Sequence, residues 1–130
     1  DGDLLHVGTL VVRVIATPGH TDDSLSYLVG DRVLTGDALL IRSAGRTDFQ
    51  NGDPAQLYAS ITTRLFTLPD DTQVYPGHDE LRARSSSPGW SARVAGKSSA
   101  EFSAIMNGLA LPPPRHLAVA VPANRSCGEA

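Results

Sequence analysis

The alternation of apolar and polar residues along this sequence predicts four main strands, a last short strand and two helices. Strands are indicated where β-branched and apolar residues cluster between turn residues, at residues 9–16, 25–29, 32–35 and 72–75. Residues 54–68 and 99–109 instead have apolar side chains at helical spacing, behind the capping residues Asp53 and Ser98. A last short strand is predicted at residues 117–121. Strands combined with well-capped amphipathic helices indicate a mixed α/β (α+β) fold.

A predicted hairpin brings a histidine and a carboxylate to the ends of strands. Only Gly30 and Asp31 separate the second and third strands, which is the length and composition of a two-residue hairpin turn. His20 precedes this hairpin in the sequence Pro-Gly-His, and Asp37 follows it in the sequence Gly-Asp. A second Pro-Gly-His, ending at His78, follows the fourth strand. Because glycine allows a sharp turn, each side chain can be directed from its strand end, and we expect all three to converge on one edge of the sheet.

The chemistry of these residues leaves two interpretations open. Imidazole and carboxylate groups together are ligands for zinc or non-haem iron, and two histidines with one carboxylate leave coordination positions open. On spacing alone, plain turns are favoured, since specific metal motifs have closer ligand sets. Arg46 lies in the polar, glycine-rich loop after Asp37. It could bind a carboxylate of an anionic substrate, or it could pair with Asp48 as local structure.

Composition limits the classes of protein to which this chain can belong. A length of 130 residues is that of one domain, and a net charge of −3 without a basic cluster argues against a nucleic-acid partner. The single cysteine, Cys127, excludes an internal disulfide and is typical of a reducing compartment. No stretch is long and apolar enough to predict a membrane span. The sequence begins at Asp1 without Met or a signal peptide, in residues typical of a loop inside a domain, so we expect a segment upstream.

Several segments resemble a known family. They are TPGHT, TGDALL, GRTDFQNGD and FTLPDDTQVYPGHD, which are similar to the metallo-β-lactamase superfamily and, within it, to the persulfide dioxygenases. The resemblance continues through GKSSAEFSAIMNGLALPPP and AVPANRSCG and covers nearly the whole chain. The GRTDFQ segment and the PAN..CG tail distinguish this family from its glyoxalase II relatives. The resemblance implies an αββα sandwich, of which residues 1–130 are a partial domain, the C-terminal half.

The resemblance also implies an activity and a metal. Persulfide dioxygenases are mononuclear iron enzymes that oxidise glutathione persulfide with dioxygen to sulfite and glutathione. By this resemblance His20 and Asp37 match two of the three ligands of an Fe(II) ion, with zinc as the alternative metal. The third ligand belongs to an upstream HxHxDH motif, which this sequence lacks. His78 matches a residue that binds the second metal in dinuclear relatives but only lies near the iron in the dioxygenases.

The substrate residues are implied in the same way. Arg46 matches an arginine beside the substrate pocket, and Asp48 matches the aspartate that supports it. Arg93 is the candidate for a further basic group that binds the substrate. Glu80 occupies the place of an aromatic residue that contacts glutathione in the family, and the loop at residues 81–95 differs from the family pattern, so glutathione recognition is left open.

Two other functional hypotheses are compatible with the sequence alone. The first is a glyoxalase II-like thioester hydrolase, in which two metals generate a hydroxide and His78 is a ligand. The second is a chain without catalytic activity. A site that lacks one of its three ligands would hold metal weakly, and half a sandwich would expose apolar surface. The family implies a small-molecule substrate and a bacterial cytoplasm or a mitochondrial matrix, and it leaves a homodimer open.

Overall fold

The computed structural model describes residues 1–49, 51–78, 91, 93–113 and 116–125, with side chains for all of these except residues 117, 124 and 125. Its strands are β1 (Leu4–Val7), β2 (Leu10–Ala16), β3 (Leu25–Val29), β4 (Arg32–Gly36), β5 (Leu39–Leu40), β6 (Ser43–Ala44) and β7 (Gln73–Pro76). Its helices are α1 (Pro54–Ser60), α2 (Ser99–Asn107) and α3 (Leu117–Arg125), and a π-helical turn, Ile61–Leu65, continues α1.

The larger sheet has the strand order β1-β2-β3-β4-β7, and β5 and β6 form a separate two-stranded sheet. β1 to β4 are antiparallel neighbours, and Val29 lies opposite Arg32, which confirms the two-residue turn between β3 and β4. β7 is parallel to β4, with Gly36 opposite Pro76. Because β4 and β7 are parallel, the residues that follow them lie side by side, and the loop that enters the antiparallel β3 reaches the same edge.

Helices α1 and α2 cover one face of this sheet. The core contains the buried side chains Val33, Leu57, Ile61, Leu65, Phe102 and Met106. The carboxylate of Asp53 accepts hydrogen bonds from the first turn of α1, and Ser98 forms a capping box with Glu101 at the start of α2. Both predicted helix starts are therefore confirmed, and the caps fix where the helices begin on the sheet.

The opposite face of the sheet carries large apolar side chains in solvent. Cross-strand pairing places Tyr27, Leu34 and Tyr75 in one row on this face. The large apolar residues of the face that are 41–56% exposed are Leu5, Leu10, Leu25, Leu34 and Tyr75. This arrangement, with helices on one face and an apolar open face on the other, is the predicted half of an αββα sandwich.

Three element predictions need correction. Residues 117–121 were predicted to be a strand, but they begin α3. Their alternating Leu and Val residues favour a strand, yet the alanines between them favour a helix, and the His116 carbonyl accepts from the N–H groups of Val119 and Ala120. The last part of the first predicted helix is a π-helical turn, closed by a bond from Phe66 N–H to the Ile61 carbonyl. The short strand β6 lies in a segment predicted to be loop.

Candidate metal centre

Three loops at one edge of the sheet carry His20, Asp37 and His78. His20 belongs to the loop between β2 and β3, Asp37 follows β4, and His78 follows β7. The side chains meet: the Nε2 of His20 lies 3.6 Å from the Oδ2 of Asp37, and the Nδ1 of His78 lies 2.6 Å from the Oδ1 of Asp37. The structure therefore brings together three residues that are far apart in the sequence.

The geometry of His20 leaves one ring nitrogen available to bind a metal. Its Nδ1 is 2.6 Å from the backbone carbonyl of Arg46, and because a carbonyl only accepts, this nitrogen carries the proton. The Nε2 lone pair is then directed towards Asp37, so two acceptors face each other at 3.6 Å. Two ligand atoms about 2.0 to 2.2 Å from one metal ion, at about 90 to 110° to each other, are about 2.8 to 3.6 Å apart. The spacing of His20 and Asp37 thus fits a pair of ligands to one ion.

His78 has a different relation to Asp37. Its Nδ1 donates to both carboxylate oxygens, at 2.6 and 2.8 Å, and its side chain is 82% exposed. These are hydrogen-bond distances, and the 2.6 Å separation is shorter than that of two ligands of one ion. The hydrogen bond and the negative charge of Asp37 raise the pKa of His78. Within the described part of the chain, no three His, Cys, Asp or Glu side chains have the arrangement of a complete metal site.

Gly45 allows the loop after Asp37 to support His20. A Cβ atom on Gly45 would lie 2.0 Å from the carbonyl oxygen of Asp37 and 3.0 Å from the Nδ1 of His20. Only glycine therefore lets the backbone come close enough for the next residue, Arg46, to present its carbonyl to the imidazole. Sequence reasoning missed this support. The sequence signal for this support is Gly45, which directly precedes the candidate substrate residue Arg46.

The Arg46 guanidinium is held by several neighbours. It donates to both carboxylate oxygens of Asp48 at 2.7 Å and to the Pro112 carbonyl at 2.9 Å, and its Cζ lies 4.2 Å from the centre of the Phe49 ring. The local pairing of Arg46 with Asp48 is therefore present, and most of the guanidinium donors are occupied. Hydrogen bonding to Arg46 lowers the pKa of Asp48.

The remaining candidates have no described contact with this cluster or lie outside the described residues. Arg93 lies in the turn before α2 and is half-buried, and none of the described hydrogen bonds or ion pairs joins it to His20, Asp37 or His78. Glu80 and Cys127 lie outside the described residues. Of the described helices, none is long and apolar enough to cross a membrane.

Replacing Asp48 with asparagine is expected to lower the free energy of unfolding at neutral pH by less than about 1 kcal/mol, the usual range for exposed ion pairs. Because Arg46 lowers the pKa of Asp48, this stabilisation is present above the ordinary aspartate pKa and is lost as the pH falls through the lowered value. Urea denaturation of the whole gene product from about pH 7 to about pH 3 measures the effect. A difference between wild type and variant that grows on acidification would contradict the assignment.

Comparison with protein families identifies the class to which this fold and cluster belong. The model of the metallo-β-lactamase superfamily matches residues 1–78, which include His20, Asp37 and His78. The chain belongs to the metallo-β-lactamase superfamily. This confirms the fold class predicted from the sequence, and the fold family implies a metal cofactor.

Particular relatives narrow the similarity to the persulfide dioxygenases. The chain is 41% identical to the Homo sapiens protein "Persulfide dioxygenase ETHE1, mitochondrial", over 98% of this chain and 52% of that protein. It matches the crystal structure of ETHE1 from Myxococcus xanthus with a TM-score of 0.91 and 60% identity, over 98% of this chain and 59% of that one. The chain thus spans about half the length of the curated persulfide dioxygenases that it matches.

A more distant relative contains iron. The crystal structure of TTHA1623 in a di-iron-bound form matches with a TM-score of 0.51 and 35% identity, over 58% of this chain and 37% of that one.

The similarity to persulfide dioxygenases predicted from the motifs is confirmed by the ETHE1 matches.

Proposed function

We propose that this chain is part of an iron-dependent persulfide dioxygenase that converts glutathione persulfide, dioxygen and water into glutathione and sulfite. The observation that carries the proposal is the spacing of His20 and Asp37, 3.6 Å between Nε2 and Oδ2, in a chain 60% identical to a solved ETHE1 structure. The third iron ligand in this proposal comes from a region upstream of residue 1, so the 130-residue chain forms one half of a metallo-β-lactamase domain.

His20 and Asp37 are proposed to hold Fe(II) through the Nε2 and the carboxylate. The bound ion would supply the redox chemistry by which dioxygen oxidises the persulfide sulfur, and these two residues would hold it in place. The Arg46 carbonyl keeps the proton of His20 on Nδ1 and so leaves Nε2 free as a ligand. His78 donates to Asp37 and orients its carboxylate.

Arg46 is proposed to orient the anionic substrate, with Asp48 as its support. Asp48 and the ring of Phe49 fix the plane of the guanidinium, which is only 17% exposed. A fixed guanidinium loses little conformational freedom when it binds a carboxylate. Since Asp48, Pro112 and Leu111 already accept from four of its five N–H donors, the contact with substrate would use the remaining N–H.

The activity test uses the whole gene product loaded with Fe(II), glutathione persulfide and an oxygen electrode. We expect oxygen uptake in stoichiometric proportion to sulfite formed. Arg46→Ala should retain iron and raise KM by about tenfold, because a lost charged hydrogen bond to substrate costs about 1.5 kcal/mol. Arg42→Ala is the matched control, since Arg42 is an exposed arginine in the turn between β5 and β6, four residues before Arg46.

Two results would contradict these assignments. An iron-loaded protein that takes up no oxygen with glutathione persulfide would overturn the proposed activity. Unchanged kinetics in Arg46→Ala would remove the substrate role of that residue and leave its pairing with Asp48 as local structure.

A thioester hydrolase of the glyoxalase II type is the second candidate. It is favoured by the position of His78, whose Nδ1 reaches Asp37, and by the two irons in the TTHA1623 structure. In that case His78 would be a ligand and, together with Asp37, would help to hold a second metal ion, which would supply a hydroxide. Hydrolysis of S-lactoylglutathione by a protein with two metals per chain would favour this function over the dioxygenase.

A further inference from the structure

Ser60 is a buried polar residue whose hydroxyl forms a hydrogen bond outside its own helix. It is the last residue of α1 and is 4% exposed. A serine inside a helix commonly donates to the carbonyl four residues earlier, as Thr63 does to Ala59 in the same helical segment. Ser60 instead donates to the carbonyl of Pro18 at 2.7 Å. The hydroxyl therefore joins α1 to the loop between β2 and β3, which carries His20.

Two other contacts fasten the same loop to α1. The N–H of Asp53 donates to the carbonyl of Gly19 at 2.8 Å. Gly19 is buried with a φ of +135°, and a Cβ atom there would lie 2.3 Å from the Cα of Leu57. The two residues before His20 thus have both carbonyl groups held by α1, one at the start of the helix and one at its end.

These contacts hold the backbone that precedes the histidine, whereas a different contact holds its ring. The ring is held at Nδ1 by the Arg46 carbonyl, and the backbone is held by α1 through Pro18 and Gly19. With both ends of the residue fixed, Nε2 has little freedom to move from its position 3.6 Å from Asp37. Metal affinity is sensitive to such support, since loss of an outer partner of a ligand lowers affinity about 10- to 100-fold.

We propose that Ser60 is a positioning residue for the metal ligand His20, acting through its hydrogen bond to the Pro18 carbonyl. This inference rests on the proposed function, in which Nε2 of His20 binds the metal. Without the hydroxyl, the Pro18 carbonyl loses its partner and the loop is no longer fixed at the end of α1. The imidazole then meets the metal at a less favourable angle.

The test compares metal binding by variants of the whole gene product. Ser60→Ala removes the donor, and Ser60→Cys keeps nearly the same shape with a weak donor, which separates packing from hydrogen bonding. Thr63→Ala is the matched control, because it removes a hydroxyl from the same helical segment that contacts only helix backbone. Iron affinity is measured by anaerobic competition with a chelator, and ligand geometry by the visible spectrum of the Co(II)-substituted protein.

Both Ser60 variants are expected to bind iron about tenfold more weakly and to shift the Co(II) bands, whereas Thr63→Ala should match wild type. Wild-type affinity and an unchanged spectrum in Ser60→Cys would overturn the inference, and this variant decides the matter if Ser60→Ala does not fold. His20→Ala is included in the same series. If His20→Ala retains metal, the proposed metal site itself is wrong. If it loses metal while both Ser60 variants behave as wild type, only the role of Ser60 is wrong.

Discussion

His20→Ala is expected to leave the whole gene product without bound iron, whereas His78→Ala is expected to retain it. The Nε2 of His20 lies at ligand spacing from Asp37, but the Nδ1 of His78 lies at hydrogen-bond distance from it. Loss of a ligand from a three-ligand site should weaken binding more than loss of an outer partner, so by more than about 100-fold. Metal analysis after gel filtration, with Asp37→Ala as a second ligand variant, measures the iron content.

The same pair of histidine variants separates the two candidate functions. In a dinuclear hydrolase, His78→Ala would lose one of two metals and His20→Ala would lose the other. Full iron content in His20→Ala would contradict the assignment of His20 as a ligand. His6→Ala is a suitable control, because His6 lies in β1, at the other edge of the sheet from β7.

The isolated 130-residue polypeptide is expected to self-associate and to lack dioxygenase activity. Its sheet carries Leu10, Leu34, Tyr75 and further apolar residues that are 41–56% exposed on one face. At about 25 cal/mol per Å², covering several such side chains yields many kcal/mol, which is comparable to the roughly 5 to 15 kcal/mol that stabilises a whole domain. Sedimentation velocity and binding of a hydrophobic dye should reveal oligomers or aggregates with exposed apolar surface.

Charged substitutions on the open face test the cause of this association. The double variant Leu10→Lys and Leu34→Lys should reduce it, while Val119→Lys should not, because Val119 lies on α3 and is already 72% exposed. A soluble wild-type monomer would contradict the expectation. Stoichiometric oxygen uptake by such a monomer with added Fe(II) would mean that the third ligand comes from within the chain, with His78 as the first candidate.

The sequence predicted the elements whose signals are local. The Gly30-Asp31 turn, the Asp53 cap and the Ser98 capping box each depend on a few neighbouring residues, and each is present in the structure. The convergence of His20, Asp37 and His78 could also be predicted, because each follows or precedes a strand at the same edge.

Other features depend on contacts between distant residues or on competing local preferences. The Arg46 carbonyl that binds His20 has no sequence signature, since every residue carries a carbonyl. The spacing of apolar residues does not distinguish the π-helical turn at Ile61–Leu65 from an α-helix. In α3, alanine propensity outweighed the alternation of Leu and Val.

The parallel pairing of β4 with β7 has a consequence for the order in which the site assembles during folding. His20 and Asp37 flank a single hairpin, so the stretch from 17 to 37 can bring them together through short loop closures. His78 reaches Asp37 only after α1 and the π-helical turn have crossed over and β7 has joined the sheet, a separation of 41 residues. Non-local parallel pairing is slow. A nascent chain can therefore bring its two candidate iron ligands near each other before the histidine that donates to Asp37 arrives.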